Sequence, residues 1–190
     1  MLYLKNKMKK QGFSLLELLL VMGIVAALII AAFIIYPKVM TQVRVTNELR
    51  NIATIMTGIK QLYQGKSDFE GFGTAVLIKS KIAPDNMLQP GNNVMLRNSW
   101  EGYFSMGNSG YGVAGGGTIW NAFTIKTAGI PSADCLRLVN ELYNLYNKDL
   151  TYLSVNSTFI YANGVVYDMD KAAQACSKSE SATVDLAIKQ

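Results

Sequence analysis

The chain has 190 residues, half of them hydrophobic and 16% charged, with 18 Lys+Arg, 13 Asp+Glu and no histidine. The missing histidine excludes imidazole acid–base catalysis, a Ser-His-Asp triad and His-ligated metal, and two cysteines cannot build a four-thiolate zinc or iron–sulfur site. The apolar content is too high for a disordered chain, and the length suits one domain with an appendage.

The formal charge of +5 is local. Lys5, Lys7, Lys9 and Lys10 supply four of the 18 basic residues, and the other 14 are all but balanced by the 13 acids. This is a short basic head, not a nucleic-acid-binding surface. It stands directly before an apolar run, Phe13–Tyr36, in which Ser14 is polar and Glu17 is the only charge. As a helix that run reaches roughly 36 Å, enough to cross a bilayer core of about 30 Å. It is too long for the apolar region of an ordinary secretory signal, roughly 7–15 residues, and Ile30 spoils the small-x-small site ending at Ala32. The lysines before the run outweigh Lys38 and Arg44 after it, which keeps the N-terminus cytoplasmic and puts the remainder across the membrane.

After Pro37, Val45, Leu49, Ile52, Met56, Ile59 and Tyr63 recur at helical spacing, with Arg44, Glu48, Arg50 and Lys60 elsewhere around the helix. The pattern predicts an amphipathic helix to about Gln64, with Gly65 as C-cap. Joined to the apolar run it makes one rod, kinked at Pro37. Residues 66–190 form a globular part with one core. Thr74–Lys81 reads as a short helix, and Val94–Trp100 and Thr118–Thr127 read as strands. Between those strands the glycines from Gly102 to Gly117 read as a flexible surface loop. Gly110-Tyr111-Gly112-Val113-Ala114-Gly115 matches a dinucleotide fingerprint in spacing, but a strand-like run follows it where a helix N-terminus would be needed. Ser132 reads as the cap of a helix carrying Cys135, Val139, Leu142 and Tyr146 on one face. Asn163-Gly164 reads as a hairpin turn between Thr158–Ala162 and Val165–Met169, Asp170 as the cap of a helix carrying Cys176, and Thr183–Ile188 as a last strand. The fold class is α+β: an antiparallel sheet packed on the second half of the rod.

Glu17 has two readings. Ser14-Leu15-Leu16-Glu17 fits a capping box. A carboxylate packed among apolar rods also needs a counter-charge, and no Lys or Arg lies between Phe13 and Tyr36. Lys9-Lys10-Gln11-Gly12-Phe13-Ser14-Leu15-Leu16-Glu17 resembles the prepilin motif of type IV pilins: a basic leader ending in Gly, then Phe, then an acid as fifth mature residue. The resemblance implies cleavage between Gly12 and Phe13 by a prepilin peptidase, removing residues 1–12, and N-methylation of Phe13. It also implies that Glu17 guides assembly by pairing with the new α-amine, four residues away on the same helix face. Residues 13–37 are then the transmembrane and filament-core helix, and 38–65 its amphipathic half.

Further on, Ser99-Trp100-Glu101-Gly102, Phe123-Thr124-Ile125 and Gly129-Ile130-Pro131-Ser132-Ala133-Asp134-Cys135 look like the PilS-type, or type IVb, pilins. The twelve-residue leader and the terminal Phe13 depart from the usual type IVb pattern. With the head outside the membrane, Cys135 and Cys176 are expected to form a disulfide. In pilins such a bond delimits the exposed C-terminal region, here 135–176. The family implies a major structural subunit that is not an enzyme and needs no cofactor. It is inserted in the inner membrane with a periplasmic head, then polymerised with identical copies by an assembly platform and ATPase into an extracellular filament for adhesion, aggregation or conjugation. The rival readings are a secretion pseudopilin, a minor pilin, and a single-pass anchored periplasmic binding domain.

Overall fold

The computed structural model describes residues 14–66, 68–113, 117–162 and 165–189, with side chains at all of these except 92–94 and 110–120. Gly12 and Phe13 therefore lie outside the described residues. The chain divides into two compact units between Met40 and Thr41. Both share one helix, α1 (Leu15–Leu62), which continues without interruption through Pro37. Proline removes one amide from a helical ladder, and the flanking turns carry the helix past it.

The first unit, in its described part, is apolar helix with no core of its own. Leu15, Leu16, Leu20, Met22, Leu28, Ile30, Phe33 and Tyr36 are all exposed, on every side of the helix. This helix is long and apolar enough to cross a membrane.

In the second unit α1 buries one stripe: Val45, Glu48, Asn51, Ile52, Ile55, Met56 and Ile59. Beyond Leu62 a turn closes with the Lys66 amide on the Tyr63 carbonyl at 3.0 Å, and Gly65 takes the left-handed φ of 83° expected of a terminating glycine. α2 (Thr74–Lys79) and a 3₁₀ turn (Asp85–Met87) lead into the sheet. Its strands are β1 (Leu88–Gln89), β2 (Asn92–Arg97), β3 (Tyr103–Val113), β4 (Gly117–Pro131), β5 (Leu150–Val155), β6 (Thr158–Ala162) and β7 (Ser181–Lys189). α3 (Ser132–Tyr146) follows β4, and α4 (Met169–Ser177) precedes β7. The order is β1-β2-β3-β4-β7-β5-β6, with every pair antiparallel. The last strand is thus inserted between β4 and β5, which locks the C-terminal half into the sheet. Ile125, Leu153, Val155, Val184 and Leu186 face a core shared with the α1 stripe and with Leu138, Val139 and Leu142 of α3. At one end of it Tyr63, Phe69, Phe72 and Phe123 meet in tilted and edge-on ring contacts with centroids 5.2 to 6.0 Å apart.

Several local expectations are corrected. From Tyr103 to Val113 the glycine-rich stretch is not a loop but β3, which pairs with β4 from Gly117 onward, and residues 114–116 lie outside the described residues. Hydrogen bonding to a strand with strong β-formers overrides the turn preference of its glycines. A strand, β4, follows the fingerprint-like residues where a helix N-terminus would be needed. α3 takes Pro131 as its N-cap and has no side-chain cap, Ser132 being its first residue. α4 is capped by Asp168, not Asp170: its carboxylate accepts the Asp170 and Lys171 amides at 3.0 and 3.1 Å. Those amides hold the Asp168 carboxyl below its usual pKa. The hairpin partner of β6 is β5, through Asn156 and Ser157, both at positive φ (47° and 64°). After β6 only a single bridge, Ala162 to Val165, forms where a strand over Val165–Met169 was anticipated. Asn163 and Gly164 lie outside the described residues.

Candidate functional site

Glu17 lies in the first turn of α1, and Ser14 just before it accepts the Leu18 amide through its backbone carbonyl at 3.1 Å. Glu17 is exposed, as are its apolar neighbours Leu15, Leu16 and Leu18. The arrangement presents one carboxylate near the start of an apolar helix that has nothing packed on it among the described residues. Its pairing with the Phe13 amine falls outside the described residues.

In the head, the segments Ser99–Gly102 and Gly129–Cys135 meet. The hub is Asn98, buried at the end of β2. Its side-chain oxygen accepts the Trp100 and Gly102 amides at 3.0 and 2.8 Å, and its amide nitrogen donates to Thr127 Oγ1 and the Ala128 carbonyl at 2.8 and 2.7 Å. All four hydrogen-bonding positions of the amide are used. The turn it shapes is tight: a Cβ on Gly102 would stand 2.0 Å from the Ala128 carbonyl oxygen. From this turn two consecutive residues reach two buried carboxylates. Ser99 donates its amide and its hydroxyl to Glu48 Oε2 of α1, each at 2.9 Å. Trp100 donates its indole N–H to Asp134 Oδ2 of α3, whose Oδ1 accepts the Thr41 hydroxyl of α1 at 2.7 Å. One turn therefore clasps α1 to the helix that carries Cys135.

Glu48 was read from sequence as lying off the apolar face, and the structure buries it completely. Its position could have been found from spacing, because it falls three residues after Val45 and four before Ile52, inside the stripe. The charge suggested otherwise, since a lone Glu is seldom fully buried. Burial raises its pKa, with hydrogen bonds from Ser99 and from the Thr127 side chain working against the rise. Among the described residues its second oxygen, Oε1, makes no hydrogen bond within ordinary geometry, and neither does Asn51 Nδ2 one turn on.

Cys135 near the start of α3 and Cys176 near the end of α4 are disulfide-bonded, with Cα atoms 5.7 Å apart. Both are buried. The bond encloses most of α3, all of β5 and β6, and most of α4. Within this region Tyr143 stacks on Tyr167 with centroids 4.1 Å apart, Tyr161 meets Tyr143 edge-on, and the Tyr167 hydroxyl donates to Asn140 of α3.

The family described as "PilS N terminal" matches residues 42–189, and the prokaryotic N-terminal methylation motif matches residues 7–33. The chain is a type IV pilin of the PilS family. Its fold is similar to that of the type IV b pilin from Salmonella typhi, at 21% identity and a TM-score of 0.52 over 75% of this chain and 96% of that one. It is similar also to TcpA, a type IV pilin from the Vibrio cholerae El Tor biotype, at 13% identity and a TM-score of 0.51 over 76% and 98% of the two chains. No curated protein matches the chain.

Within this pilin the methylation motif covers Gly12, Phe13 and Glu17 and ends inside the apolar half of α1. The PilS match begins at the residue after Thr41, so the family unit coincides with the compact head. The pilin is a structural subunit, not an enzyme, carrying a processing motif and a membrane-anchoring helix. Its family implies peptidase processing and polymerisation.

Proposed function

We propose that this pilin is the major subunit of an extracellular type IV pilus. It is inserted with its N-terminus in the cytoplasm and its head in the periplasm, cut between Gly12 and Phe13, methylated on Phe13, and polymerised by an inner-membrane platform and its ATPase. The observation that carries the reading is the first unit of the chain: a helix apolar on all sides, covered by nothing of its own, that bears a single carboxylate at Glu17. A bilayer covers such a helix before assembly, and like helices cover it in a filament, where burying each large apolar side chain contributes about 1.5–3 kcal/mol. Among those helices Glu17 pairs with the Phe13 amine and sets their register, while Pro37 gives the rod a place to bend. The stapled region 135–176 then forms the surface used for adhesion, aggregation or conjugation.

Intact mass and N-terminal sequencing of sheared extracellular material and of membranes test this. The expected species starts at Phe13 with one added methyl group and is abundant in the sheared fraction. Confinement of that species to membranes would make the protein a pseudopilin. A chain still starting at Met1 would make it an anchored periplasmic domain.

A further inference from the structure

Strand alternation gives β4, β5, β6 and β7 one face turned to the core, with Ile125, Leu153, Val184 and Leu186, and one turned away from α1 and α3. On that outer face the pairing registers set four side chains in one row. Lys126 of β4 stands beside Asp185 of β7, Asp185 beside Ser154 of β5, and Ser154 beside Phe159 of β6. Directly paired residues stand about 5 Å apart, so the row is roughly 15 Å long. Ser154 is small and buried between larger neighbours, Asp185 is half-buried, and Lys126 and Phe159 are exposed. A depression of about 310 Å³ opens on the row, lined by Lys126, Ser154, Asn156, Ser157, Thr183 and Asp185. That volume is at the lower end of small-molecule sites, roughly 300–1,000 Å³.

The walls of the depression are fixed. Tyr152 donates its hydroxyl to Asp185 Oδ1 at 3.1 Å, and its ring meets Phe159 edge-on with centroids 5.7 Å apart. Burial and the neighbouring Asp185 push the Tyr152 pKa up to about 12, so the hydroxyl keeps its proton and that hydrogen bond. Asn156 is tied three times. Its amide donates to the Thr183 carbonyl at 2.8 Å, its side-chain oxygen accepts the Thr183 amide at 2.9 Å, and its Nδ2 donates to the Ala175 carbonyl at 3.0 Å. Ser157 follows at a φ of 64°, a conformation that glycine adopts at less cost, yet the residue there carries a hydroxyl at the rim. Backbone strain kept beside a depression points to a site. Burial raises the Asp185 pKa, and the Tyr152 hydrogen bond and the Lys126 charge oppose the rise. Even so, among the described residues Lys126 forms neither an ion pair with Asp185 nor a hydrogen bond.

We propose that this row is a binding site for a neutral saccharide. A ligand that meets Lys126 and Asp185 together must accept from an ammonium and donate to a carboxylate, and a sugar hydroxyl does both. The two charges cancel, so Asp185 repels an anion and Lys126 repels a cation. The hydroxyls of Ser157 and Thr183 add further donors and acceptors for ring substituents. At the end of the row the exposed ring of Phe159 offers a flat apolar surface to the C–H face of a pyranose. Asp185, Asn156 and Ser157 are in place before any ligand arrives, which lowers the ordering cost of binding. Lys126 and Asp185 lie outside the 135–176 region, so the contact surface extends beyond the stapled segment. Use of the site in adhesion rests on the filament-forming reading above, whereas binding itself needs only the head.

Saturation-transfer NMR with maltose, lactose, cellobiose and diacetylchitobiose tests it, on the full-length subunit in a detergent without a sugar headgroup and on sheared pili. At millimolar concentration at least one of these disaccharides receives saturation through its C–H protons in both samples. Lys126→Ala and Phe159→Ala, both at exposed positions, keep the melting temperature and weaken that binding by about tenfold each. Ser157→Gly relieves the positive φ and weakens binding without lowering the melting temperature. Absence of binding by every disaccharide, binding that survives both alanine substitutions, or a preference for free glycine as a zwitterion would overturn the proposal. So would binding by the free subunit that vanishes in pili, because the row would then be a contact between copies. Failure of the chain to form pili would overturn the filament reading alone, since the subunit measurement stands without it.

Discussion

Burying a carboxylate without a cation costs free energy unless hydrogen bonds replace the lost water, and for Glu48 the hydrogen bonds of Ser99 and Thr127 oppose that cost without cancelling it. Ser99 serves Oε2 twice, and among the described residues Oε1 makes no hydrogen bond within ordinary geometry. Because its folded pKa is raised above the ordinary glutamate value of 4.5, the native state holds a proton that the unfolded chain has already released in the window above that value. Stability therefore falls as pH rises through the window and recovers on acidification to about 4.5. Glu48→Gln removes this slope: melting temperatures of the two proteins, compared from acid to neutral pH, should converge at low pH and separate in favour of Gln as pH rises. Ser99→Ala should cost about 1–3 kcal/mol in chemical denaturation, since it leaves the buried carboxylate with one donor fewer. Trp100→Phe keeps the ring and removes the indole N–H from Asp134 Oδ2, with a loss of similar size.

At the scale of elements, the two halves of the head are joined by different devices. The turn from Asn98 to Gly102 clasps α1 to α3 with hydrogen bonds, and it closes only because Gly102 has no side chain to meet the Ala128 carbonyl. Gly102→Ala should lower stability by about 1–3 kcal/mol through the displacement it forces. The Cys135–Cys176 bond joins α3 to α4 across 41 positions of sequence, and the chain-entropy account gives it roughly 4 kcal/mol. Replacing both cysteines by Ser should lower the melting temperature of the head and the yield of pili together. An unchanged melting temperature would show that the core alone holds α4 in place. Val45, Ile52, Met56 and Ile59 of the α1 stripe were legible from spacing, Glu48, Asn51 and Ile55 were not, and α2, α3 and the final strand were. The caps were not, because Ser132 and Asp170 are both acceptable cap residues in isolation. The choice between Asp168 and Asp170 is made where the Asp168 amide is drawn to the Ile160 carbonyl of β6.

For the whole molecule, the contrast between the two units governs behaviour. The residues of α1 from Thr41 onward belong to the head and supply Val45, Ile52, Ile55 and Ile59 to its core. A fragment starting at Thr41 should stay folded and monomeric without detergent, whereas the processed full chain should need a bilayer, detergent or a filament; size-exclusion chromatography distinguishes the two. Glu17→Ala should leave membrane insertion and processing intact and abolish pili, because it removes the only carboxylate in the apolar run. Normal pili from that variant, counted by electron microscopy, would remove the charge pair from the assembly mechanism.

The unbroken apolar run, its lone acid at a fixed offset from Gly12 and the basic head are linear features, and residue order alone determines them. The same holds for the exclusion of histidine chemistry. They were enough to mark a processed, membrane-anchored subunit, because a membrane segment is set by local hydropathy and length. Only the tertiary structure decided the burial of Glu48, the meeting of Trp100 with Asp134, and the extended state of the glycine-rich stretch. Each depends on a partner distant in sequence: Ser99 for Glu48, 51 positions away, and Trp100 for Asp134, 34 positions away. For Gly110–Val113 the partner is a β4 strand whose pairing outweighs the conformational freedom of the glycines.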